Sequence, residues 1–161
     1  MEYFDVQFNL NTTELDDFLS NGLRLSKELV ATSHFYSNLT EQDIEFHDVN
    51  SFINLFQTSG TGTISTKEIN LGIELSSVTV VLSFGQSNGK IDISFNECEL
   101  LESGKLNKVK CLSLLGFFQD LMSEYNITNF RFGYEPVHQD DMCLVIIKDA
   151  QSDISKLIQQ I

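Results

Sequence analysis

Alternation of apolar and polar residues, the pattern of a strand with one buried face, constrains the fold of this chain most. Near the start, the apolar members of the pattern are Phe4, Val6, Phe8 and Leu10. This period of two predicts a half-buried strand over residues 3–10, with Asp5 and its polar neighbours on the outer face. Farther on, residues 85–89 predict a hairpin, because the Asn-Gly pair there readily takes the positive backbone angles of a primed turn.

Four more segments have strand patterns. Residues 64–75 alternate, and after Ser76-Ser77 the apolar positions change parity through residues 78–84, which predicts a bulge or tight turn between two strands. Residues 130–134 also alternate. Residues 142–147 are apolar on both faces, which predicts a strand in the middle of the sheet.

Apolar spacings of three and four residues predict the helices. One amphipathic helix is expected from Leu15 to Val30 and a short one near residues 49–57, ended by a turn at 59–62, where two glycines lie close together. A long helix is expected from a cap at Ser103 through Tyr125, and a last one after the capping residues 152–153.

These elements predict an α+β fold. We expect a single globular domain over residues 1–161, with an antiparallel or mixed sheet of about six strands and helices packed on it, since a chain of 161 residues can bury a substantial apolar core. Three widely spaced cysteines indicate free thiols. Neither a signal peptide nor an apolar stretch of membrane-spanning length is present in the sequence, so we expect a cytoplasmic protein.

The charge indicates the class of partner. The formal net charge is −13, and a field of this sign repels nucleic acids and anionic lipids but speeds encounters with basic proteins. A basic protein is therefore the expected partner, and neither nucleic acid nor a membrane is expected. The acidity could also serve only to keep the protein in solution.

Motifs for catalysis or metal binding are missing from the sequence. The three histidines are too far apart for a zinc pair, and no nucleophile elbow, phosphate-binding loop or dinucleotide fingerprint is present. We expect no metal, no cofactor and no enzymatic activity.

Two acidic segments with interleaved aromatic residues are the predicted partner-binding sites, because carboxylates steer a basic partner while rings supply contact energy. The first runs from Glu41 to Asp48, and the second, with Tyr134 just before it, from Glu135 to Asp141. The predicted contact residues are Asp43, Glu45, Phe46, Asp48, Tyr134, Glu135, His138, Asp140 and Asp141. Alternatively, Ile44 and Phe46 anchor the first segment to the core, and the second segment is a solvated turn.

In profile, a small acidic α+β chain with acidic and aromatic loops and no active site resembles the immunity proteins of bacterial toxin systems, including contact-dependent growth inhibition. The resemblance implies a cognate toxin domain, frequently a basic nuclease, whose active site the immunity protein covers. It rests on no diagnostic motif and assigns no contact residue.

Two alternatives follow from other features. Over residues 13–161 the order of helices and strands is similar to that of type III secretion chaperones, which bind an effector segment as dimers, although the strand at 3–10 departs from that order. The other alternative is a small hydrolase that uses Glu135, His138, Asp140 and Asp141.

Overall fold

An eight-stranded antiparallel sheet forms the centre of the computed structural model, which describes residues 1–38 and 40–161. Its strands are β1 (Tyr3–Asn11), β2 (Val30–Ser37), β3 (Gln42–Ile44), β4 (Ser59–Thr66), β7 (Thr79–Gly85), β8 (Asn88–Asn96), β11 (Phe130–Tyr134) and β12 (Cys143–Ile147). Two small hairpins pair β5 (Ile69–Asn70) with β6 (Glu74–Leu75) and β9 (Leu101–Glu102) with β10 (Lys105–Leu106). Across the large sheet the order is β12-β11-β1-β8-β7-β4-β2-β3.

The helices are short, apart from one. They are α1 (Leu15–Asp17), α2 (Phe52–Leu55), α3 (Lys108–Tyr125) and α4 (Ile154–Ile158). A 3-10 turn at Thr12–Glu14 precedes α1 and a π-helical turn at Phe18–Gly22 follows it, while further 3-10 turns lie at Phe46–Asp48 and Glu97–Glu99. Helix α3 begins after Asn107, whose side chain accepts from the Lys110 amide, and ends at Asn126 in the left-handed conformation.

The core lies between the helices and one face of the sheet. The ring of Phe118 on α3 lies 6.1 Å from that of Phe8 on β1, and the ring of Phe52 on α2 lies 5.1 Å from that of Phe35 on β2. Phe8 and Phe35 share this face, since the pairing Phe8↔Ile91↔Leu82↔Gly62↔Phe35 runs across five strands. Among the described residues, no helix is long and apolar enough to cross a membrane.

The α+β class is confirmed, but the large sheet has eight strands and not about six, because β2 and β3 were not predicted and the start of β4 was read as a turn. The helix predicted for 15–30 ends by Gly22, and Val30 begins strand β2, which pairs with both β3 and β4. The turn predicted at 59–62 is the start of strand β4. Its glycines are needed because a side chain at Gly60 or Gly62 would overlap the ring of Phe56 or Phe35.

Three local predictions are also corrected. Strand β12, expected in the middle of the sheet, lies at an edge beside β11. Ser103 does not cap α3, because it takes a positive φ in the turn between β9 and β10, and Asn107 is the cap. The hairpin β7–β8 is confirmed, but Gly89 does not take a positive φ, and a side chain there would overlap the ring of Phe84.

Candidate partner-binding surface

The first acidic segment, called here the edge segment (residues 41–48), lies at one edge of the sheet. Its strand β3 pairs with β2, so that Asp43 faces Tyr36. The carboxylates of Asp43, Glu45 and Asp48 are exposed. Asp43 Oδ1 lies 3.3 Å from His34 Nε2, and both side chains are 67% exposed, so solvent screens this pair and leaves the segment strongly acidic.

Phe46 holds the edge segment against the core. The side chain is half-buried, its ring centroid lies 5.7 Å from that of Phe52, and its backbone amide donates to Ser33 Oγ at 2.8 Å. The ring thus has the anchoring position that the sequence left open as an alternative to direct partner contact.

Asp16, which the sequence analysis did not single out, fixes the chain just beyond the edge segment. Its carboxylate accepts from the backbone amides of Phe52 and Ile53 at 2.7 and 3.3 Å and from Ser51 Oγ at 3.0 Å. A carboxylate at the start of α2 satisfies amides that have no partner within the helix. The distance of 36 residues between Asp16 and Phe52 explains why no local signal revealed this contact.

The second acidic segment, called here the loop segment (residues 134–141), joins β11 to β12. Glu135, His138, Asp140 and Asp141 are exposed. Tyr134 is half-buried on the core side, with its ring centroid 4.5 Å from that of Phe4.

Arg131 ties the loop segment to the sheet. Its guanidinium donates from Nε to the Val137 carbonyl at 3.0 Å and from an Nη nitrogen to Asp140 Oδ1 at 2.7 Å. Asp140 therefore helps to hold the loop, while Glu135, His138 and Asp141 stay exposed at its surface. The sequence offered one signal for this pair, a single cation within a strand that leads into an acidic loop.

Asp5 lies beneath the loop segment and is only 5% exposed. Its carboxylate accepts from Ser94 Oγ and from the backbone of Val137. Burial, and then the nearby charges of Glu135 and Asp92, raise the pKa of Asp5, although the hydrogen bonds oppose the shift. The strand pattern had placed Asp5 on the outer face, and it is buried there because the loop folds back over it.

The two segments lie apart on the sheet. Six inter-strand steps separate β11 from β3, and at ~4.8 Å a step the distance is roughly 29 Å. They cannot form one compact site. A single partner would have to span the sheet to contact both.

The structure also shows where the side chains that could bind a metal or support catalysis lie. Among the described residues, no three His, Cys, Asp or Glu side chains are placed to hold a metal ion. All three cysteines are free thiols, as expected, and burial raises the pKa of the Cys111 thiol to about 11. The four residues of the hydrolase alternative are exposed, and one of them, Asp140, is bound to Arg131.

Comparison with known proteins identifies a family for this chain. The model of a family described as PABL017 Cdi1I immunity protein matches residues 2–150. No curated protein matches the sequence.

Among solved structures, one chain comes from the crystal structure of the toxic C-terminal tip of CdiA from Pseudomonas aeruginosa in complex with immune protein. It is similar with a TM-score of 0.67 and 15% identity, over 90% of this chain and 94% of that one. Another, the Pseudomonas aeruginosa T6SS protein PA0821, has a TM-score of 0.47 and 8% identity, over 83% of this chain and 40% of that one. At these identities the first likeness concerns the fold.

Proposed function

The chain belongs to the PABL017 Cdi1I immunity protein family, and from this premise we propose that it neutralises a cognate toxin domain by binding it through the edge and loop segments. The contact residues are Asp43, Glu45, Phe46, Asp48, Tyr134, Glu135, His138, Asp140 and Asp141. Family membership over residues 2–150 is the observation that carries the proposal. It favours this function over that of a type III secretion chaperone.

The partner in this proposal is a basic toxin domain. Exposed carboxylates in both segments and a net charge of −13 support it, because charge complementarity raises the association rate and fixes orientation. A nuclease fits best, since an enzyme that acts on nucleic acid carries a cationic surface that carboxylates can occupy. The CdiA tip crystallised with its immune protein supports a toxin as the kind of partner.

Inhibition occurs by occupancy in this proposal, with residues 1–161 acting as one domain and without chemical turnover. Strands from both ends of the sequence, β1 and β12, lie in the same sheet, which supports a single domain. The toxin active site is covered while the complex lasts, so the residence time of the complex determines protection.

Charge reversal in the edge segment tests the proposal. The triple variant Asp43→Lys, Glu45→Lys and Asp48→Lys should slow association with the cognate toxin domain and weaken the salt dependence of the association rate. Its melting temperature should change little, because all three carboxylates are exposed. Stopped-flow or surface-plasmon-resonance measurements give the association rates. Growth of cells that produce both the toxin and a variant shows how well that variant protects them.

A matched control separates local charge from net charge. Glu68→Lys, Asp120→Lys and Glu124→Lys change the net charge equally at exposed positions away from both segments. The control should keep most of the wild-type association rate. Equal rates for the two triple variants would remove the edge segment from the interface, and a wild-type chain that neither binds nor protects would refute the function itself.

A further inference from the structure

We infer that the open face of the large sheet, the one opposite the helices, is the surface on which the cationic toxin domain docks. This inference rests on the proposed function and identifies where on this chain the partner sits. The edge and loop segments then form two borders of one interface, which removes the difficulty that they lie roughly 29 Å apart across the sheet.

Pairing across the strands defines the open face. Two of its rows are Gln7↔Asp92↔Val81↔Thr63↔His34 and Asn9↔Lys90↔Ser83↔Thr61↔Tyr36↔Asp43. Thr61, Thr63, Ser83 and Val81 in the middle strands are exposed. Short side chains there make a shallow floor that polar groups of a partner can reach, and Val81, 37% exposed, supplies an apolar contact at its centre.

Acidic groups stand at both borders of this floor. Asp43 ends one row at the β3 edge. On the other side, Asp5, Asp92, Glu135 and His138 line a cavity of about 200 Å³ between the floor and the loop segment. Lys90 also lines this cavity, and its Nζ lies 3.4 Å from Asp92, while Arg131 donates to Asp140 at 2.7 Å.

The helical side carries charges of both signs. Lys108 and Lys110 lie in the first turn of α3, and Lys108 shares an apolar groove with Val109, Leu112 and residues of α4. Lys156 lies on α4. On the same side Asp120 and Glu124 are exposed on α3, and Lys156 Nζ lies 3.9 Å from Asp153. The orientation of the partner therefore follows from the carboxylates of the edge and loop segments at the borders of the open face.

The size of the open face fits a specific interface. From β1 to β3 it spans five inter-strand steps, roughly 24 Å, and strands of about seven residues give a length of roughly 23 Å. The projected area is roughly 550 Å², and the two acidic borders bring it close to the ~800 Å² per partner that stable complexes bury.

One pair of matched substitutions tests the inference. Val81→Arg places a long cation at the centre of the open face, and Val109→Arg makes the same change on α3, where the side chain is 75% exposed. Both variants keep the same net charge. Binding of the cognate toxin domain is measured by isothermal titration calorimetry, with circular dichroism to verify folding.

The two variants should differ clearly in their affinity for the toxin domain. Val81→Arg should weaken binding at least about tenfold through like-charge contact, while Val109→Arg stays within about twofold of the wild type. Thr63→Arg, on the neighbouring strand of the same row, should repeat the loss and guards against a folding defect peculiar to Val81. Unchanged affinity in both open-face variants, or a loss confined to Val109→Arg, would overturn the inference. Binding by the wild-type chain, measured beside them, tests the proposed function separately.

Discussion

Substitution of Gly62 by alanine tests the packing that places the edge segment. Gly62 lies on β4 opposite Phe35 of β2, and Phe35 is fully buried. A Cβ atom at this position would stand 2.5 Å from Cε1 of the Phe35 ring and closer still to Cδ1. To restore the 3.4 Å of ordinary contact, the ring must move by about 0.9 Å or more.

The surroundings of Phe35 oppose that movement. Its ring packs against Phe52 at 5.1 Å and Phe56 at 6.4 Å, so a shift displaces the aromatic cluster under β2 and β3. Overpacking of this kind costs about 1–3 kcal/mol of unfolding free energy. We expect Gly62→Ala to lose about that amount, although glycine-to-alanine changes in unstrained backbone often stabilise proteins.

Gly116→Ala is the matched control, because a Cβ atom there meets nothing within 4 Å and the residue lies inside α3. It should stabilise the chain by about 0.5–1 kcal/mol through helix propensity. Urea unfolding followed by circular dichroism gives both values. If Gly62→Ala is as stable as the wild type, Phe35 is not held as tightly as the argument requires. Restoration of stability in the double variant with Phe35→Leu would identify the ring as the cause.

Three further substitutions test individual contacts. Because burial raises the folded-state pKa of Asp5, its negative charge lowers the stability of the folded chain at pH 7, and Asp5→Asn should be more stable than the wild type there. This advantage should shrink as the pH falls through the raised pKa and vanish below the ordinary value of 3.8. Melting temperatures of both proteins across this pH range check the prediction. Asp16→Ala should lower the free energy of unfolding in urea by about 2 kcal/mol, since it leaves the amide of Phe52 without its charged acceptor. An unchanged urea midpoint would show that the Asp16 carboxylate does not stabilise the start of α2. Asn107→Ala should cost about 1 kcal/mol by loss of the cap on Lys110, and Asn107→Asp should retain it.

The sequence predicted elements whose signal is local. Strand β1 was expected over residues 3–10 and runs over Tyr3–Asn11, because its alternation is unbroken. The start of strand β4 was missed because Gly60 and Gly62 read as turn residues, whereas they make room for the rings of Phe56 and Phe35. The predicted position of β12, in the middle of the sheet, was wrong for a related reason. Periodicity indicates which faces are apolar, and it does not contain the order of the strands.

The candidate surface shows the same difference between features with a local sequence signal and features that depend on tertiary contacts. The carboxylates of Asp43, Glu45 and Asp48 are exposed, as charged side chains usually are, and their role as contacts stays a prediction. Burial of Asp5 and the bond between Arg131 and Asp140 depend on the loop segment folding back over the sheet, a tertiary arrangement that no local pattern contains.

Titration of the toxin's activity with increasing amounts of this chain tests the central claim most directly, because it distinguishes occupancy from chemical inactivation. If the chain acts by binding, activity falls in proportion to the amount added, the loss becomes complete at a fixed molar ratio near equivalence, and dissociation of the complex returns active toxin. Full inactivation by a small molar fraction of the chain, or undiminished toxin activity at large excess, would contradict the account.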